Sequence, residues 1–108
     1  MDAEEATTML SALAQSTRLN VFRVLQDQGA EGLAAGLLAQ KLGVPHNTMS
    51  THLKVLEQAG LVSSRRISRS VIYRADDRAF GQLVDFLGRR IAPEAEPQPA
   101  AAEARRKA

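Results

Sequence analysis

Three residues, Gly43-Val44-Pro45, separate two segments that each carry a helical apolar stripe, and so short a link constrains this chain more than any other feature. Before it, Ala35 to Leu42 reads as a short helix with Leu37, Leu38 and Leu42 turned inward. After it, Met49, Leu53 and Leu56 share one face of a second helix, while Asn47, Ser50, Thr51 and Lys54 share the opposite one. Gly43 suits the left-handed residue that ends the first helix. Pro45 suits the opening of the next, where its missing N–H costs nothing, and Gly60 suits its end. So short a turn forces the two helices to cross steeply and leaves the second protruding, which is the helix-turn-helix arrangement.

The protruding face is unusual for a solvated helix. Around His46, Asn47, Ser50 and Thr51 it offers imidazole, amide and hydroxyl groups, with a cation only at Lys54. Short groups that donate and accept match base edges and phosphate oxygens in a DNA major groove. An ordinary surface helix would carry Glu/Lys pairs four residues apart, and this face has no acid before Glu57. The plain alternative is an amphipathic helix with no partner. Charge bears on the choice: residues 41–74 hold Lys41, Lys54, Arg65, Arg66, Arg69 and Arg74 against Glu57 alone. The first 31 residues hold Arg18 and Arg23 against Asp2, Glu4, Glu5, Asp27 and Glu31. A basic block beside acidic sequence is the footprint of a phosphate-binding face, although an unpartnered positive surface has the same charge.

From Leu61 to Ala75 the period changes to two. Val62 begins one strand, and Val71 and Tyr73 alternate with Ile72 and Arg74 in another. Arg65-Arg66-Ile67-Ser68-Arg69-Ser70 forms a basic hairpin tip between them. A ribbon behind a recognition helix is a wing, and Arg65, Arg66 and Arg69 at its tip reach phosphates or an adjacent minor groove. Solubility alone also produces arginine-rich tips. Glu31 to Ala34 reads as a connector. Upstream, Asp2 and Glu5 make a capping box for a helix over residues 3–14 with Ala6, Met9, Leu10 and Leu13 on one stripe. Ser16 caps a second helix, apolar on more than one side, that Gly29 stops; it belongs at the centre of the fold.

Asp76-Asp77 caps a last helix over residues 77–91, with Phe80, Leu83, Val84, Leu87 and Ile91 on one broad stripe. The expected fold is mainly α with a two-stranded β wing: a winged helix-turn-helix of four helices, two strands and a fifth helix. So small a domain has little core left to cover both terminal stripes. Met9, Leu10 and Leu13 with Phe80, Leu83, Val84, Leu87 and Ile91 therefore read as the interface with a second copy, giving a two-fold homodimer. The alternative is that the two stripes cover each other within one chain.

Residues 1–92 read as one domain, and the Pro/Ala-rich residues 93–108 as a disordered tail. With no cysteine among 108 residues, disulfides and thiolate metal sites are excluded. No apolar run approaches the roughly 18 residues of a membrane span, and no export signal opens the chain, which points to a cytoplasmic protein without a membrane partner. His46 and His52, on one helix, point about 240° apart and cannot chelate a single ion together. No Ser/His/Asp or Cys/His set and no phosphate-cradling glycine loop is present, so no catalytic residue, cofactor or metal is assigned.

Over residues 6–91 the chain resembles the ArsR–SmtB family of small bacterial winged-helix repressors. The resemblance rests on Ala12-Leu13-Ala14-Gln15-Ser16-Thr17-Arg18-Leu19, on Leu38-Ala39-Gln40-Lys41-Leu42-Gly43-Val44, and chiefly on Ser50 through Val62 (S-T-H-L-K-V-L-E-Q-A-G-L-V) with Arg65-Arg66 and Ile72-Tyr73. It implies a homodimer on double-stranded DNA at a pseudo-palindromic operator. His46, Asn47, Ser50 and Thr51 then fall where the family reads bases, with Lys54 and the wing arginines nearer the backbone. Departures from the family pattern concern metals. Ala34 and Gly36 stand where many relatives carry a cysteine pair, and Ala79, Arg89 and Arg90 where others carry ligands on the last helix. A further group carries cysteines near the end of that helix, which here reads Leu87-Gly88-Arg89-Arg90-Ile91-Ala92-Pro93. Guanidiniums in place of thiolates remove ligands and repel a cation, implying a regulator that does not respond to metal. Control of binding by an unknown small-molecule effector, independent of redox state, and control by concentration alone both stay open, and no residue identifies the effector. Ile67-Ser68-Arg69 also stands where relatives place glycine in the wing turn. The competing reading is a winged-helix protein-interaction module; an acidic or apolar helix face would fit it better.

Overall fold

The computed structural model describes residues 1–89. α1 (Ala3–Leu13) is opened by reciprocal capping: the Glu5 N–H donates to Asp2 Oδ1 at 2.8 Å and the Asp2 N–H to Glu5 Oε1 at 3.2 Å. α2 (Ser16–Gln28) is capped by Gln15, whose side chain accepts from the Arg18 N–H; Ser16, the expected cap, is already helical. A single 3-10 turn leads to β1 (Leu33–Ala34) and α3 (Ala35–Leu42), followed by α4 (His46–Gln58), β2 (Val62–Ile67), β3 (Ser70–Ala75) and α5 (Asp77–Gly88).

α2 is the central element. Val21, Phe22 and Leu25 are fully buried and meet Leu38 of α3, Met49, Leu53 and Leu56 of α4, Leu61, and Leu83 of α5. The Phe22 and Phe80 rings lie 5.1 Å apart at a 55° tilt, a favourable aromatic geometry. Each such side chain contributes about 1.5–3 kcal/mol by leaving water. That exceeds the few tenths separating most helix propensities, so the apolar spacing decides how the helices pack.

Several expectations are corrected. Leu37 is exposed rather than inward, because neighbours Leu37 and Leu38 differ by about 100° of rotation and the core takes Leu38. The single stripe on α5 is divided: Leu83 is buried, with Phe80 and Phe86 partly buried beside it, while Val84 and Leu87 face outward. α5 also ends at Gly88, where Arg89 turns to extended backbone, and not at residue 91. Arg90, Ile91 and the expected tail lie outside the described residues, as does the domain boundary at residue 92.

The sheet has three strands, in the order β1-β3-β2, where two were expected. β1 pairs antiparallel with β3, Leu33 against Tyr73 and Ala34 against Ile72. Two residues are too few for any periodicity to show. Gly32 makes the pairing possible: its φ is +68°, and a Cβ there would overlap the Tyr73 carbonyl.

Candidate nucleic-acid interface

The turn between α3 and α4 is closed by the backbone itself. Gly43, left-handed at φ 65°, donates to the Gln40 carbonyl at 3.3 Å, and Val44 donates to that of Ala39 at 3.0 Å. This Schellman pairing satisfies two carbonyls at the end of α3. Pro45 lies just outside α4 as its cap residue rather than within its first turn, and its carbonyl accepts from the Met49 N–H at 2.9 Å. The other end of α4 closes in the same way, with Gly60 donating to Glu57 and Leu61 to Leu56, each at 3.0 Å. Leu61 is fully buried, so this cap also anchors the helix to the core.

With Met49, Leu53 and Leu56 fully buried, the opposite face of α4 is set outward, and His46, Asn47, Ser50, Thr51 and Lys54 are all exposed. Their hydrogen bonds define what they offer. The Ser50 hydroxyl donates to the His46 carbonyl at 3.1 Å and the Thr51 hydroxyl to that of Asn47 at 3.2 Å, leaving lone pairs outward. Asn47 Oδ1 accepts from the Thr48 N–H at 2.9 Å, leaving its NH₂ group to donate. The face thus presents acceptors at Ser50 and Thr51, a donor at Asn47 and a cation at Lys54.

The wing corrects the expected tip. β2 and β3 pair antiparallel from Val62–Ala75 to Ile67–Ser70, so only Ser68 and Arg69 form the turn. Ser68 takes φ 58°, a cost glycine would avoid. Arg65 and Arg66 are therefore strand residues, and successive strand residues face opposite ways. Val62 is buried, and the Ser64 hydroxyl donates to Glu57 Oε2 of α4 at 2.6 Å, so the even-numbered face of β2 adjoins the helices. Arg66 shares that face. Arg65 lies on the other, with Ile67 and the β3 residues Ile72 and Arg74, opposite which Arg65 and Ser63 pair.

Between α4 and the wing lies a cleft of about 620 Å³. His46 and Ser50 line it from α4, Arg69, Ser70 and Tyr73 from the hairpin, and Gly36 from the start of α3. No side chain caps α3, whose N-terminal end faces the cleft at Ala35 and Gly36. Burial, and secondarily the Glu57 carboxylate, raise the Tyr73 pKa above its ordinary value, which keeps the phenol protonated and able to donate. Sequence reading missed Ser70, Tyr73 and the start of α3; an uncapped helix flanked by small residues gives almost no signal along the chain.

The histidines part company. His46 is exposed in the cleft, while His52 is half-buried beside Arg18, whose Nη1 lies 3.5 Å from its Nδ1. Among the described residues no group of three His, Cys, Asp or Glu side chains could hold a metal. No helix among them is long and apolar enough to cross a membrane. Of the expected dimer residues, Met9 and Leu83 are corrected: at 7% and 1% exposure they fill this chain's own core. Leu13 and Phe80 pack partly against that core, and Leu10, Val84 and Leu87 are exposed. Ile91 lies outside the described residues.

Two helices joined by a three-residue turn, an exposed polar face on the second and a β2–β3 hairpin in a three-stranded sheet define a winged helix-turn-helix protein. The family described as "Helix-turn-helix domain" matches residues 13–65. A biofilm growth-associated repressor of Agrobacterium fabrum is 37% identical over 87 residues, covering 79% of this chain and 70% of that one. An ArsR-like transcriptional regulator from Rhodococcus superposes with a TM-score of 0.71 at 27% identity, over 96% of this chain and 86% of its own. The homodimeric winged helix-turn-helix DNA-binding domain of a possible ArsR-family regulator from Mycobacterium bovis gives 0.65 at 30% identity, over 78% of each chain. The chain belongs to the ArsR–SmtB family of winged helix-turn-helix transcriptional regulators.

Proposed function

We propose that this DNA-binding regulator acts as a cytoplasmic homodimeric repressor that occupies a pseudo-palindromic operator, excludes polymerase and does not respond to metal. The observation that carries the reading is the outward face of α4, where exposed His46, Asn47, Ser50, Thr51 and Lys54 stand beside a cleft walled by Arg69. Asn47, Ser50 and Thr51 suit base edges, while Lys54, Arg66 and Arg69 suit phosphates. The Agrobacterium relative is named a repressor, and the Mycobacterium domain is homodimeric; both support the reading. Independence from metal is supported by the lack of cysteine and by Ala34 and Gly36 at the family's ligand positions.

The test is selection of duplexes from a random library, followed by affinity against salt. The expected product is an inverted repeat whose half-site centres lie about 10 base pairs apart, bound with a steep salt slope. Failure to enrich any sequence would overturn the reading in favour of a protein-interaction module. On the selected operator, Asn47→Ala or Ser50→Ala is expected to cost about 1–3 kcal/mol per lost base contact, with little change on random DNA. An equal loss on both would assign these residues to the backbone.

Wing contacts separate by face. Arg69→Ala is expected to lower affinity on all duplexes and reduce the salt slope by about one per protomer. Arg65→Ala, on the face away from α4, is expected to change the slope less. Equal effects in salt titrations would show that DNA wraps both faces of the wing.

A further inference from the structure

We propose that the groove between α1 and α4 binds a small polar monocarboxylate. It is an open surface groove of about 410 Å³, with Thr8 and Ser11 of α1 on one side, Val55 and Gln58 of α4 on the other, and Arg18 of α2 in its wall. That volume lies in the range of small-molecule sites, about 300–1,000 Å³.

Arg18 supplies the charge and is already held in place. Its Nε donates to the Ala12 carbonyl at 2.7 Å, one of the last-turn carbonyls that α1 cannot satisfy internally. Its Nη1 reaches His52 Nδ1 at 3.5 Å. A guanidinium carries about five N–H donors, and the others here have no protein hydrogen bond among the described residues. A planar fork whose orientation is fixed beforehand binds a carboxylate with little further loss of rotamer freedom.

The lining then selects the class of ligand. Arg18 is the sole charged side chain among the lining residues, so the groove neutralises one negative charge. A phosphate monoester, with a charge nearer −2, would be left partly unpaired in it. Thr8 donates its hydroxyl proton to the Glu4 carbonyl at 3.1 Å and so offers lone pairs, while the Gln58 carboxamide both donates and accepts. A hydroxylated monocarboxylate answers all three groups. Such an occupant would touch both α1, which carries the exposed Leu10, and the DNA-reading helix α4, and so link assembly to operator binding. That consequence rests on the proposed function; the binding itself does not.

Gluconate is the probe, titrated into the full chain at constant ionic strength without DNA and followed by amide and Arg18 Nε resonances. Saturable shifts are expected at Thr8, Ser11, Arg18 and Gln58. The double variant Ser11→Ala/Gln58→Ala leaves the Arg18–Ala12 contact intact and is expected to bind about tenfold more weakly. Arg18→Gln is expected to abolish saturation. Shifts that never saturate, shifts centred on Arg65, Arg66 and Arg69, or the same response to inorganic phosphate would overturn the proposal.

Discussion

Leu87→Arg is expected to leave a folded chain that sediments as a monomer, and to weaken operator binding by about 10²–10⁴-fold. Leu87 is 54% exposed at the outward side of α5, beside the equally outward Val84, so in a single chain the new guanidinium meets water. In a dimer built on that surface it would have to lose its hydration without an assigned partner. A dimer on an inverted repeat engages its second half-site intramolecularly, and losing the dimer loses that advantage even though every α4 contact is retained. Leu83→Arg is the contrast. Leu83 is 1% exposed in the chain's own core, and a charge there is expected to unfold the domain. Sedimentation and operator titration separate the outcomes: a Leu87→Arg variant still at twice the chain mass would place the interface elsewhere.

The second large effect concerns stability. Gly32→Ala is expected to destabilise the fold by about 3 kcal/mol or more, because two costs add there. A φ of +68° strains any residue with a Cβ, and that Cβ would run into the Tyr73 carbonyl, which belongs to backbone. Relief requires separating β1 from β3, which disturbs the seat of Tyr73 in the cleft. Gly43→Ala isolates the first cost. Its φ is nearly the same, +65°, but nothing lies within 4 Å of the added carbon. It is expected to lose only about 1–2 kcal/mol. Thermal unfolding checks the pair; for a domain of this size each kcal/mol moves the midpoint by about 4–8 °C. Equal shifts would mean that β1 yields at no cost.

The helix-turn-helix was legible along the chain. Its signals are local: Met49, Leu53 and Leu56 recur within two turns, and Gly43 and Gly60 mark ends that backbone hydrogen bonds close within five residues. Burying that stripe turns His46, Asn47, Ser50, Thr51 and Lys54 outward, so the candidate contact face was readable as well. Periodicity gives a side chain's direction about its own element, however, and says nothing of what lies opposite. That Met9 and Leu83 turn into the core while Leu10, Val84 and Leu87 do not follows from how the helices pack. The same holds for β1, whose pairing of Leu33 with Tyr73 joins residues far apart in the chain. It holds too for which of Arg65 and Arg66 shares the face beside α4, a choice made by the seating of β2 through Ser64 and Glu57. Arg18 meets His52 only because α1, α2 and α4 pack together. Contacts between distant segments depend on how whole elements fill a shared core, a property of their assembly and not of any one stretch.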